Sequence, residues 1–219
     1  MDGQAIIAHI VRNRSFMKIA ITGTIAAGKT TVAILFRRRG IPVFNADQYA
    51  KRSLYQGSVC YEKIREVFGE DVIGISGDIE PKKLAGIIFQ DNNKRKQLNA
   101  IVHPFVLEGM QKFFATNHQQ PIICAEIPLL FETGWDQYFD RTVVVTCSEE
   151  IAIQRMMEER NYTRQEAKAR LSMQIPAEEQ IARADKVIYN EGDLKELDSQ
   201  INRWLGELRK DIRNGKNAN

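Results

Sequence analysis

With 219 residues, 43% of them hydrophobic and 27% charged, the chain has the composition of an ordinary globular protein of one or at most two domains. Its 31 basic residues nearly balance 28 acidic ones, and a net charge of +3 excludes a general attraction to nucleic acid or to an anionic membrane. No apolar stretch approaches the roughly 20 residues of a membrane helix. Cys60, Cys124 and Cys147 are too widely spaced for a metal-binding pair, and their reading as buried reduced thiols favours a cytoplasmic protein.

In chain order, residues 1–16 read as an extension. Their apolar run, 5–11, precedes Arg12 and Arg14, the reverse of the order in a signal peptide. A short strand is predicted over 18–22 and a helix over 31–38, ended by Gly40. Between them Gly23-Thr24-Ile25-Ala26-Ala27-Gly28-Lys29-Thr30 fits the phosphate-loop pattern G-x-x-x-x-G-K-[ST]. A second strand, 41–44, runs into Asn45-Ala46-Asp47. A mostly helical stretch follows to about residue 117, with a helix from about 92 interrupted or bent at His103-Pro104. Strands are predicted over 121–126, 142–147 and 186–189. Ser148 caps a helix whose first turn carries Glu149 and Glu150, and Thr163 and Glu166 form a capping box for a helix reaching about Gln174. The last helix opens at Asp193 and Glu196, and the polar residues from 214 read as a frayed tail. Strands alternating with helices predict an α/β fold with a parallel sheet of about five strands flanked by helices.

The loop sets the chemistry. Backbone N–H groups at the start of a helix surround phosphate oxygens, Lys29 reaches the outer phosphates, and the Thr30 hydroxyl ligates Mg²⁺. The bland reading is a glycine turn between a core strand and helix. No N-K-x-D base-recognition motif is present, and Asp71-Val72-Ile73-Gly74 follows no buried strand, so a GTPase switch is disfavoured. A kinase needs a group that positions the acceptor hydroxyl, positive charge for the transferring phosphoryl, and an acceptor pocket. Asp47, just past the second strand, suits a general base at the carboxyl edge of the sheet, or an N-cap for a helix starting at Gln48. Arg155, Arg160, Arg164 and Arg170 suit a closing lid; Glu149, Glu150, Glu158, Glu159 and Glu166 leave a merely solvated face as the alternative.

From about Met17 to Leu208 the chain resembles dephospho-coenzyme A kinases. The resemblance lies in Thr22-Gly23 with the loop, Asn45-Ala46-Asp47 with Ala50-Lys51, and 98–104 ending in His103-Pro104. It continues through Ile127-Pro128-Leu129-Leu130-Phe131-Glu132, Arg170 with Gln174, and 184–192 with Asn190-Glu191-Gly192. It implies a P-loop kinase resembling nucleoside monophosphate kinases, with core 17–47, 118–148 and 184–213, a helical acceptor-binding insertion 48–117 and a helical lid 149–183. It also implies ATP and Mg²⁺ as cofactors, dephospho-coenzyme A as acceptor and the last step of coenzyme A synthesis as the reaction. Residues 23–31, including Thr31, would hold the nucleotide. The turn at Asn190 would lie near adenine, Asp47 would take the acceptor hydroxyl, and the lid arginines, Arg155 and Arg160 among them, would meet the phosphoryl group. His103, Pro128 and Leu129 would face the acceptor, although His103 also reads as a locally satisfied helix-kink residue.

Several positions depart from that family's pattern. Thr24, Ala26 and Ala27 replace its usual glycine, glycine and serine; Asn45 replaces a frequent aspartate; and Arg155 and Arg160 are five residues apart rather than four. Glu126 stands where aspartate is common, to support Mg²⁺ through water or simply to end the strand. A kinase for another nucleoside or nucleotide and a nucleotide-dependent switch are the alternatives. Nothing in the residues sets an oligomeric state.

Overall fold

Continuous apolar runs form strands buried on both faces, as a helix-covered parallel sheet requires. In the computed structural model, which describes residues 16–213, β1 is Met17–Gly23, β2 Val43–Asn45, β3 Ile122–Glu126, β4 Arg141–Thr146 and β5 Lys186–Tyr189. They form one five-stranded sheet in the order β2-β3-β1-β4-β5, and β1 pairs in parallel with both β3 and β4, as β4 does with β5. The predicted α/β architecture of about five strands flanked by helices is therefore observed. The extension reading of 1–16 falls, but for Phe16, outside the described residues, as does the tail 214–219. Among the described residues no helix is long and apolar enough to cross a membrane.

The described residues divide into two compact units, one running to Phe44 and resuming at Phe114, the other Asn45–Phe113. In the first, α1 (Lys29–Arg38) buries Val32, Ala33, Leu35 and Phe36 against the sheet. The helix ends in a Schellman motif, with Gly40 N–H donating to Arg37 O and Ile41 N–H to Phe36 O. That motif occupies Ile41, and Pro42 has no N–H, so β2 starts at Val43 rather than at the predicted 41. The last helix, Leu194–Arg213, turns Leu197, Ile201, Trp204, Leu205 and Leu208 into the same core, and Trp204 lies 6.2 Å from the Phe36 ring.

The second unit is helical: α2 (Ala46–Lys51), α3 (Tyr61–Phe68), α4 (Pro81–Gln90) and α5 (Asn92–Thr116) up to Phe113, the last three residues of α5 belonging to the first unit. Its core gathers Tyr61, Ile64, Phe68, Val72, Ile79 and Leu84, with Leu98, Ile101, Val102 and Phe105 of α5 packed on it. Asn45, not Asp47, is the N-cap of α2: its Oδ1 accepts from Gln48 N–H at 2.7 Å, and Asp47 lies one turn inside the helix. The capping alternative for Asp47 is thereby overturned. Pro104 lies inside a continuous α5, so of the predicted interruption or bend at His103-Pro104 the interruption does not occur.

After β4 come α6 (Glu149–Arg160), α7 (Arg164–Leu171) and α8 (Ala177–Ala182), with Leu194–Arg213 as α9. Ser148 caps α6 by accepting from Ile151 N–H, and Thr163 and Glu166 form the predicted capping box. The helix opened by that box stops at Leu171, three residues before Gln174. Pro176 disfavours helical backbone at Ile175, and Ser172 to Gln174 fold into a turn closed by Gln174 N–H donating to Leu171 O.

Candidate nucleotide site

The loop Gly23–Thr30 leaves the carboxyl end of β1, the edge where open α/β sheets bind ligands. Its two motif glycines answer two close approaches. Gly23 lies at φ +139°, where a Cβ would strike the carbonyl of Val145 in β4. Gly28 lies at φ +93°, where a Cβ would strike the side-chain amide of Asn190. Lys29 Nζ donates to Gly23 O at 2.9 Å and to Thr24 O at 2.7 Å, tying the start of the loop to the first turn of α1.

Two further groups hold the loop from β5 and α6. Asn190 Nδ2 donates to Ala27 O at 2.8 Å. Arg155 donates to Ala26 O at 3.2 Å and to Asn190 O at 2.9 Å. Gly28, Lys29, Thr30, Thr31, Arg155, Arg160 and Asn190 thus line one cleft of about 350 Å³. Backbone N–H groups at a helix start, an ammonium and two guanidiniums make this cleft suited to a polyphosphate. Thr24 and Gln174 line a separate cavity of about 600 Å³.

Glu126, at the end of β3, is 4% exposed and accepts from Thr30 Oγ1 at 2.7 Å. A hydroxyl and a buried carboxylate side by side form a hard oxygen pair. Mg²⁺ takes one or two protein oxygens of this kind and completes its shell with phosphate and water. Among the described residues no group of three or more His, Cys, Asp or Glu is arranged to hold a metal ion. The residues present therefore fit an ion carried chiefly on phosphate.

The substituted loop positions carry a cost. Ala26 lies at φ +59°, the left-handed region that favours glycine. Thr24 is 7% exposed, and among the described residues its hydroxyl is the buried side-chain oxygen without a hydrogen-bond partner. Ala26→Gly is expected to stabilise the protein by about 1 kcal/mol, because relief of left-handed alanine outweighs the added freedom of the unfolded chain. A urea titration with an unchanged slope and a higher midpoint is the check; an equal or lower midpoint would refute the assignment of strain to Ala26.

Pro128 follows β3, and its carbonyl accepts from Thr22 Oγ1 at 3.5 Å; Leu129 is exposed beside it. Asp47 and His103 belong to the helical unit, Asp47 exposed in the first turn of α2 and His103 half-buried in α5. Burial holds the His103 imidazole below its ordinary value, which favours its neutral form. Cys147 lies next to the nucleotide cleft's elements at the end of β4. Burial pushes its thiol up, only partly offset by the positive charges of Arg155 and Lys29, so it is a poor nucleophile. Apart from marking a helix end, Gln174 entered the sequence reading only through the family resemblance, beside Arg170 and with no role; its Oε1 accepts from Ile25 N–H at 2.7 Å across 149 residues. The sequence reading had left Glu126 open, although a carboxylate ending an otherwise apolar strand was the available signal.

The sequence model of the dephospho-CoA kinase family matches residues 17–196. A dephospho-CoA kinase of Bacillus cereus is 40% identical over 185 residues, covering 84% of this chain and 92% of the relative. One of Bacillus licheniformis is 41% identical over 189 residues, covering 85% and 94%. A solved structure from Thermus thermophilus, 35% identical, superposes with a TM-score of 0.78 over 88% of this chain and 98% of its own. The dephospho-CoA kinase of Campylobacter jejuni, 23% identical with a TM-score of 0.60, shares the fold over 89% of this chain and 98% of its own.

Proposed function

We propose that this chain, which belongs to the dephospho-CoA kinase family, phosphorylates the ribose 3′-hydroxyl of dephospho-coenzyme A with ATP, giving coenzyme A and ADP. The family match carries this reading, because it runs from the phosphate loop through Asp47 and the lid helices to the turn at Asn190.

The residues divide the work by position. The N–H groups of Gly28 to Thr31 receive the phosphate oxygens at the positive end of α1. Lys29 exchanges its two loop carbonyls for the outer phosphates, a short swing for a four-carbon side chain. Arg155, braced by Ala26 O and Asn190 O, holds the loop against the β5 turn, where the adenine lies. Arg160, on the same cleft, faces the charge that develops on the transferring group. Thr30 and Glu126 would hold Mg²⁺, which when bound would neutralise charge on the phosphates. Asp47 accepts the proton of the attacking 3′-hydroxyl, and His103, Pro128 and Leu129 contribute to the acceptor pocket. Because ATP and dephospho-coenzyme A are both water-soluble, the reading places the reaction in the cytoplasm.

The test is an acceptor panel with Mg²⁺ and either ATP or GTP. ADP release should depend on dephospho-coenzyme A and not on AMP, adenosine or uridine. Preference for one of the other three acceptors would move the chain to another nucleoside kinase, and ADP release independent of any acceptor would make it a switch.

A further inference from the structure

We infer that Gln174 is a positioning residue: its side-chain oxygen latches the lid turn to the phosphate loop, so that the lid arginines are set by the loop's conformation. The role presupposes the phosphotransfer proposed above. Ile25 supplies the loop's half of the latch twice over. Its N–H donates to Gln174 Oε1 at 2.7 Å, and its side chain packs on the cluster of Ile153, Met156 and Ala167 between α6 and α7. The turn holding Gln174 is fixed on its far side as well. Gln180, 2% exposed, donates through Nε2 to Ile175 O at 3.1 Å, and Ile175 N–H points to Glu132 Oε1 at 3.4 Å.

Arg170, four residues before the latch, stacks on Tyr162 with its guanidinium 4.4 Å from the ring centre. Arg155 reaches the next loop residue, Ala26. Two arginines on two lid helices are therefore referred to a single pair of loop residues, Ile25 and Ala26. Phosphate entering the cradle reorganises the peptides of this loop, and the latch passes that change to the α7–α8 turn. A neutral amide suits the position. It accepts the Ile25 N–H without placing a negative charge on the loop that holds the triphosphate, as a carboxylate would.

The test compares Gln174→Met, nearly the same shape without the accepting oxygen, with Gln174→Glu, which keeps that oxygen. In steady state, Gln174→Met should lower kcat by about tenfold or more while KM for ATP moves by less than about threefold. Melting temperature should stay near that of the parent. In hydrogen exchange with Mg²⁺ and ATP alone, the parent and Gln174→Glu should gain protection over 164–182, and Gln174→Met should not. Gln174→Glu should also show a raised KM for ATP. A Gln174→Met variant with parental kcat, with kcat and KM altered in equal proportion, or with parental ATP-induced protection would overturn the latch. So would a folded Gln174→Glu lacking that protection. If Gln174→Met does not fold, Gln174→Ala carries the same comparison. The exchange experiment contains no acceptor, so it reads the latch even if the parent fails to phosphorylate dephospho-coenzyme A, a result that would instead remove the acceptor assignment.

Discussion

Asp47→Asn is expected to lower turnover by about two orders of magnitude or more while leaving ATP affinity within about threefold of the parent. The side chain stands in the first turn of α2, two residues beyond the carboxyl end of β2, and helix capping is done by Asn45. Asparagine is the same size and keeps one carbonyl oxygen, so the helix should be undisturbed. What it cannot do is take a proton from the 3′-hydroxyl. Steady-state phosphorylation of dephospho-coenzyme A, set beside an ATP titration followed by thermal shift, separates the two effects. Parental turnover would remove Asp47 from the mechanism. Weakened ATP binding with kcat preserved would make it a nucleotide-side residue instead. Asn45, where an aspartate is frequent in the family, carries no carboxylate and is already committed to Gln48 N–H, so it cannot replace Asp47.

What was legible in the sequence was local. The phosphate loop is defined by residues within eight positions, and both its glycines prove to be needed for contacts visible only in three dimensions, against Val145 and Asn190. Ser148 and the Thr163–Glu166 box announced their helices because a cap is a contact between near neighbours. Strand β2 was misplaced at its start because the end of α1 competes for Ile41 through a hydrogen bond that hydrophobic patterning does not register. The short helix α8 gave no signal of its own: six residues carry less than two turns of periodicity.

The site was less legible than the fold for the same reason. Thr30 meets Glu126 across 96 residues, Arg155 meets Ala26 across 129, and Gln174 meets Ile25 across 149. Each pair depends on the sheet bringing β3 and β4 beside β1, and residue type alone does not specify it. The loop substitutions could be flagged from sequence, but not their cost. Alanine at 26 matters because that peptide is left-handed, and threonine at 24 because its hydroxyl is buried without a partner.

Lys29→Ala is expected to remove ATP binding and turnover together, unlike Asp47→Asn. The parent at 100 times its dissociation constant for ATP should be stabilised by about 2.7 kcal/mol, and the variant at the same concentration should show little of that gain. Turnover should fall by about 10²-fold or more, the loss typical of removing one donor to the transition state. The structure adds a second consequence. Lys29 Nζ bonds to the carbonyls of Gly23 and Thr24 before any phosphate arrives, so the variant should also lose stability without ligand, by about 1–2 kcal/mol. Melting with and without Mg²⁺ and ATP measures both quantities on one sample. Lys29→Met tests the division between them: it restores packing of the stem but neither the loop bonds nor the charge. If Lys29→Met recovers the ligand-free stability, the loop is held by packing, and the two carbonyl bonds contribute little. If it recovers the ATP-induced gain, the ammonium is not the phosphate contact, and the cradle of backbone N–H groups at α1 binds the nucleotide without it.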